Sequence, residues 1–342
     1  MAGTRGRRGG VGVVDLAREL GVSTATVSRA LNGSDAVRPE LAQRVREYAE
    51  QRGYVANRLA RALSANTSRA FVGFVIPYVD TPAYSAVAAE CARLLSRDGT
   101  QMILSITEND PEREHRQLRE LLASRVAGLI VSPSTYVTRA SKELLRNAPV
   151  VELHRASGIA APGVFSDDEQ VITECVLHLA ALGHRRIAYL GTPRELSNGA
   201  ARLRGLRRGL ELAGLTERNC ATHLSEPTAE NGYTGANQLL GAAEKPTALL
   251  VGGGSLSQGA ARAVRAAGLR LPEQLSLIVY GDPTWFALSD PPLTTVVVGY
   301  AELADQAAAL LQRRLDGEPV EPRPYLVKPE LVNAGSTGPP PA

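Results

Sequence analysis

Apolar residues in the first sixty positions recur at helical spacing in three short bursts. Val13, Leu16, Ala17 and Leu20 form the first stripe, and Gly21 then supplies a residue able to take a left-handed turn. In the second burst, Ser23 to Leu31, Val27, Ala30 and Leu31 fall on one side of the helical wheel. Thr24, Ala25, Ser28, Arg29 and Asn32 share the opposite sector, about 140° wide at ~100° per residue. Ser23 or Thr24 can cap this helix with its hydroxyl. The third burst, PELAQRVREYAEQRG, puts Pro39 at a first helical position, makes a stripe of Leu41, Val45, Tyr48 and Ala49, and ends at Gly53. The pattern predicts helix, tight turn, helix, then a third helix completing one small core. Taken alone, the second burst fits an ordinary amphipathic surface helix. With its neighbours it becomes a helix held out by a small scaffold. Its exposed face is short, hydroxyl-rich and carries one forked cation, which suits close approach to a phosphate backbone and a base edge.

From Arg69 onward the period changes. The runs AFVGFVIP, MILSI, AGLIVS, PVVEL, RIAYLG, ALLVG, LSLIVYG and TTVVV predict buried strands. Helical patterns separate them near residues 83–97, 111–124, 168–182, 199–213, 229–241, 255–267 and 300–315. Alternating strands and helices imply parallel sheets covered on both faces, and about 260 residues of such pattern suggest two lobes.

Charge sharpens the division. Residues 1–66 hold eleven arginines, no lysine and six acids, whereas the remainder is slightly acidic within a net charge of +3. A basic head on an acidic body points to a polyanionic partner for the head. The three cysteines, Cys91, Cys175 and Cys220, are far apart and lack CxxC spacing, which excludes a disulfide framework and fits a reducing cytoplasm. No run approaches the roughly 20 apolar residues of a membrane span. The opening MAGTRGRRGG has no apolar segment of a secretory signal and reads as a disordered basic arm.

The stretch VVDLARELGVSTATVSRALNG, followed by the third helix and RGYVANRLARAL, resembles the head of the LacI/GalR family of bacterial transcription regulators. The likeness extends through VGFVIP, NDPEREHRQLRELLASRVAGLIVSPS, LGHRRIAYLG, RLRGLRRGLELAGL, GYTGANQLL, KPTALLV and DPPLTTV. It implies a helix-turn-helix domain over 11–56, a hinge helix and linker over 57–68, and an effector-binding and dimerisation body over 69–332. The fold class is then a small all-α head plus a periplasmic-binding-protein-like body of two doubly wound parallel-sheet lobes. The N-lobe would take about 69–162 and part of 294–332, the C-lobe about 163–293, with crossovers near 160–166 and 285–296. Residues 333–342 are expected to be a disordered tail.

On the family pattern the second helix enters the major groove. Thr24, Ala25 and Arg29 would face base edges, the Arg29 fork matching guanine O6 and N7. Ser23, Thr26, Ser28 and Asn32 would bind phosphates, Thr26 on the resemblance alone because it sits partly off the exposed sector. Asn57, Arg58, Ala60 and Leu63 match the hinge that folds when two copies meet over the minor groove, with Leu63 as the wedge in the central base step. Two residues depart from the pattern: Ala56 stands where a proline is common, and Arg38 where a serine or threonine cap is usual.

For the body the resemblance implies an inter-lobe cleft that takes a small effector: a sugar, sugar derivative, nucleobase or small acid. Ligands of such sheets bind beyond the carboxyl ends of strands. The candidates are Tyr84, Ser132, Tyr136, Asp167, Asn198, Arg202, Asp282 and Trp285. Gly254 and Gly281 stand where the family usually has acids that accept hydrogen bonds from ligand hydroxyls, which disfavours an ordinary hexose or pentose. A nucleophile elbow or a dinucleotide fingerprint in VGGGSLSQG fails because residue 257 is serine, and the five histidines show no metal spacing. The expectation is a cytoplasmic, nucleoid-associated homodimer that binds palindromic operator DNA, most often as a repressor. It would need no cofactor, metal or membrane and would not be an enzyme. A transporter's solute-binding protein shares the body but would lack the helix-turn-helix and carry a secretory signal.

Overall fold

The computed structural model describes residues 12–31, 34, 36–54, 71–281 and 283–341. The chain forms two compact units, 1–66 and 67–342. Asn32, Asp282, the expected arm at 1–10 and the hinge residues Asn57, Arg58, Ala60 and Leu63 lie outside the described residues.

In the first unit, α1 (Val13–Leu20), α2 (Thr24–Leu31) and α3 (Pro39–Gln51) surround Leu16, Val27, Ala30 and Val45, all sealed from solvent. Gly21 ends α1 in the left-handed region at φ 65°, and its neighbour's N–H, on Val22, reaches back to the Ala17 carbonyl. Ser23 is the cap of α2: its Oγ accepts from the Thr26 N–H at 3.0 Å. Arg38 begins α3 without a side-chain cap, as its departure from the family pattern leads one to expect. Glu19 of α1 ties the unit together, accepting from Tyr48 and Arg52 at α3.

The second unit contains two six-stranded sheets. The first sheet comprises β1 (Phe71–Ile76), β2 (Gln101–Ile106), β3 (Gly128–Val131), β4 (Val150–Leu153), β5 (Gly163–Ser166) and β11 (Pro324–Val327), ordered β11-β5-β4-β3-β1-β2 and parallel throughout. The second comprises β6 (Ile187–Gly191), β7 (Cys220–Leu224), β8 (Ala248–Gly252), β9 (Ser276–Gly281), β10 (Thr294–Val297) and β12 (Glu330–Val332), ordered β12-β10-β9-β8-β6-β7. Only β12 runs antiparallel. The central strands are apolar on both faces, because helices cover both. On the first sheet lie α4 (Pro82–Arg97), α5 (Pro111–Ala123), α6 (Arg139–Arg146) and α12 (Tyr300–Leu315). The second carries α7 (Asp168–Ala181), α8 (Ser197–Leu212), α9 (Ala229–Leu240), α10 (Gly254–Ala266) and the short α11 (Pro283–Phe286).

The chain changes lobes three times, between β5 and α7, between β10 and α12, and between β11 and β12. The expected lobe limits shift accordingly. Residues 163–166 belong to the first sheet because β5 pairs with both β4 and β11, and residues 294–297 belong to the second because β10 pairs with β9. The crossover expected near 285–296 falls instead after Val297.

Residues 333–341 are not a disordered tail. They run along the second sheet, where Ser336 is fully buried, bonds Leu277 through both backbone and side chain, and accepts from the Thr294 N–H at its hydroxyl. His184 clamps the next turn. Its Nδ1 meets Thr247 at 2.8 Å, and its Nε2 meets both Ser276 and the Gly338 carbonyl at 2.9 Å. Small hydroxylated residues and prolines gave that segment the composition of a loose end. Their hydrogen bonds to the strand ends hold it instead.

Candidate functional site

The head presents one polar face. Val27 and Ala30 of α2 are buried, which turns Thr24, Ala25, Ser28 and Arg29 outward and leaves Thr26 half-buried. Ser23 is exposed at the cap, and its Oγ meets Thr26 Oγ1 at 2.8 Å. The cap therefore orients two hydroxyls at the start of the helix, where unpaired backbone amides favour an anion.

In the body, the cleft between the two sheets encloses about 890 Å³, open space at its mouth included. Its first wall is aromatic. Tyr84 on α4 is buried, stacks edge-on to His154 with ring centres 5.3 Å apart, and receives the Ser132 hydroxyl at 3.3 Å. His154 takes a left-handed backbone at φ 58°, an uncommon state for a side-chain-bearing residue. This turn directs Arg155 beneath Tyr84. His154 donates its Nε2 proton to the Ala83 carbonyl, and burial chiefly holds its pKa down at about 4, so the ring is neutral at pH 7.

The opposite wall is built around an ion pair. Arg202 on α8 lies 3.1 Å from Asp168 at the start of α7, donates to the Gly252 carbonyl at 2.9 Å, and sits over the Tyr280 ring. Tyr280 donates its hydroxyl proton to Asp168. Burial is the largest influence on Arg202 and opposes its charge, but Asp168, Tyr280 and Tyr189 together outweigh it and raise the pKa, so the guanidinium stays charged. Burial and the Asp168 charge raise the Tyr280 pKa as well, keeping that phenol neutral.

Bonds that cross between the lobes include three with side chains. The Ala156 N–H reaches Ser197 Oγ at 2.8 Å, Asn109 reaches Glu226 at 3.4 Å, and Ser166 meets the Tyr280 hydroxyl at 3.3 Å. These bonds describe two lobes drawn together.

Of the residues expected to hold an effector, Tyr84, Asn198 and Arg202 line this cavity. Ser132 does not. It is fully buried and supports Tyr84 from behind. Tyr136 is 67% exposed and not part of the wall. Asp167 caps α7 by accepting from the Gln170 N–H, and its neighbour Asp168 turns into the cleft in its place. The Trp285 side chain lies outside the described residues. His154, Arg155, Asp168, Gln258, Tyr280 and Tyr300 line the cavity without having been foreseen. The signal available for them was position: Arg155 follows β4, and Tyr280 nearly ends β9.

The three cysteines are buried and free. Among the described residues no group of three His, Cys, Asp or Glu side chains is placed to hold a metal, and no helix is long and apolar enough to cross a membrane.

Residues 13–57 match the bacterial regulatory proteins of the lacI family, and residues 176–337 match the periplasmic binding protein-like domain. Catabolite control protein A of Priestia megaterium is 31% identical over 315 residues, spanning 91% of this chain and 94% of that protein. The HTH-type transcriptional regulator reg1 of Streptomyces lividans is 30% identical, covering 95% and 96%. The chain belongs to the lacI family of bacterial regulatory proteins. A crystal structure of the lac repressor dimer bound to operator and the anti-inducer ONPF superposes with a TM-score of 0.85. It is 26% identical and covers 96% of this chain and 99% of that one. The matched relatives are transcriptional regulators, and the fold is that of the lacI family: a helical head followed by two parallel-sheet lobes.

Against the lacI family pattern, the glycines at 254 and 281 form one feature. Gly281 ends β9 at φ 120°, a conformation that side-chain-bearing residues rarely adopt. A Cβ there would stand 3.2 Å from the Gly254 Cα. The end of β9 thus runs close against the start of α10. Ser257 secures the contact by donating to the Gly253 carbonyl and accepting from the Tyr280 N–H. The run VGGGSLSQG is a strand end and a helix start.

Proposed function

We propose that the protein is a transcriptional regulator, in the repressor mode of its relatives, acting in the cytoplasm as a homodimer on near-palindromic operator DNA. Thr24, Ala25 and Arg29 reach base edges in the major groove, with Arg29 bidentate to a guanine. Ser23, Thr26, Ser28 and Asn32 hold phosphates and set the register. Two copies of the hinge, through Asn57, Arg58, Ala60 and Leu63, meet in the central minor groove, where Leu63 wedges a base step. An effector in the inter-lobe cleft changes the lobe angle and so the affinity for operator.

The observation that supports this best is the sidedness of α2: Val27 and Ala30 buried, Thr24, Ala25, Ser28 and Arg29 exposed on a three-helix scaffold. Selection from random duplexes with the full chain tests it. Enrichment of an inverted repeat is expected, and enrichment of none would contradict it. On the enriched site, Leu63→Ala should reduce DNA bending in a gel-mobility assay, and an unchanged bend removes the wedge role.

A further inference from the structure

We infer that the cleft takes a ligand bearing an oxyanion, carboxylate or phosphate, held between Arg155 and the start of α10. This rests on the cleft being the effector site. It also specifies the chemistry that site recognises.

Arg155 is 3% exposed, yet no carboxylate among the described residues forms an ion pair with it. Its Nη1 donates to the Asn109 side-chain carbonyl at 3.1 Å and more weakly to the Pro133 carbonyl at 3.4 Å, both neutral acceptors. Its Nε is buried without a partner. A guanidinium taken out of water normally sits against an acid, because its desolvation is otherwise uncompensated. The nearby acids act at one remove. Glu226 bonds the amide of Asn109 from the other lobe, and Glu114 accepts from the Ser134 N–H behind the wall.

Across the cavity, α10 opens with Gly253, Gly254 and Ser255 in the lining. The helix is 13 residues long, and its cap residue, Gly253, offers no side-chain hydrogen bond. The start of this helix therefore borders the cavity with its first amides uncapped by any side chain and no acid in its first turn. Thr192, 3% exposed and in contact distance of Gly253, has a buried hydroxyl without a partner, and so does Thr81 on the other lobe.

The charge balance agrees. Among the described lining residues Asp168 is the only carboxylate, and Arg202 and Tyr280 already occupy it. His154 is neutral. What remains is the Arg155 charge and a set of unspent donors. A neutral polyol can bond the hydroxyls and amides of the walls, but it leaves the Arg155 charge without a counter-charge. An oxyanion needs donors, and both walls supply them.

The test is thermal unfolding of the full chain against rising sodium phosphate and, separately, sodium acetate, each at constant ionic strength set with sodium chloride. Bulk salting raises stability without saturating, in any variant, whereas a site saturates. We expect a saturable rise in the wild type with phosphate, acetate or both, the responding anion naming the ligand's group. In Arg155→Gln the rise should need at least tenfold more anion, while Arg155→Lys should keep part of it. Gly254→Asp provides a variant that folds, since its Cβ would meet only the Tyr280 carbonyl at 3.6 Å and the Gly281 Cα at 4.0 Å. It too should lose the response. No saturable rise with either anion, or an equal rise in wild type, Arg155→Gln and Gly254→Asp, overturns the inference. Loss of the anion response with operator selection intact removes only this inference, whereas loss of operator selection removes the regulator reading itself.

Discussion

The head and the cleft are both built to meet a ligand, but they spend their polar groups differently. On α2 the polar groups point outward from a small apolar scaffold, and Thr24, Ala25 and Arg29 contribute nothing to its core. In the cleft the polar groups also hold the walls: Arg202 with Asp168, Tyr280 with Asp168, Ser132 with Tyr84. Removing a head residue should therefore change recognition and leave stability alone. Removing a cleft residue should change both. That difference can be measured.

The largest effect is expected from Arg202→Ala. It leaves Asp168 buried without its counter-charge, with only the Tyr280 hydroxyl still bonded to it, which costs ~3–5 kcal/mol, read as a lower urea midpoint for the body. A loss under 1 kcal/mol would mean that solvent reaches the pair and that Arg202 is free to bind ligand. Next comes Gly281→Asp, the change that restores the residue usual in the family. With a Cβ 3.2 Å from Gly254 and a backbone at φ 120°, it should destabilise by about 1–3 kcal/mol. Gly254→Asp should be nearly neutral by the same assay. Equal costs at both positions would break the account of the paired glycines.

A pH effect of similar size sharpens the contrast further. His154 titrates at about 4 in the folded body, against 6.5 as a free side chain. Below pH 6.5 the unfolded chain takes up a proton that the folded chain refuses, so stability falls as pH drops from 6.5 to 4, by ~1–3 kcal/mol. Above pH 6.5 this group adds no slope. His178 and His184, also lowered by burial, act in the same direction. His154→Gln should flatten the curve, and an unchanged slope would place the titration elsewhere.

The same difference explains what could be read from the sequence. The residues proposed to meet DNA on the head lie within ten consecutive positions, 23–32, so helical period alone sorts Arg29 from Val27. The central strands were equally legible, since runs such as ALLVG and LSLIVYG are apolar on both faces. β5, β7, β11 and β12 were not. They are short strands at or near the sheet edges, and residues such as Ala221 and Thr222 face solvent, so no apolar run marks them. In the cleft, Tyr84 and Arg202 were found through the resemblance and Asn198 through its place after a strand. Asp168 was missed by one residue, because either of two adjacent aspartates can cap a helix and only packing decides which one turns inward. Arg155 carries only one local sign, its place just after β4. Its meaning depends on Asn109, forty-six positions earlier, and on which acids the fold keeps away. The tail was misread for the opposite reason, since its composition imitates disorder while His184 and Ser276 supply its bonds.

The smallest effect on stability, and the most informative on function, belongs to Arg29→Ala. An exposed side chain with no part in the core should change stability by no more than about 0.5 kcal/mol. The decisive measurement is the affinity of wild type and Arg29→Ala for the selected operator and for random duplex at one salt concentration. The account predicts a loss of ~1–3 kcal/mol on the operator, relaxed preference at one base pair per half-site, and a much smaller loss on random DNA. Equal losses on both would make Arg29 a phosphate contact and would contradict the claim that α2 reads sequence.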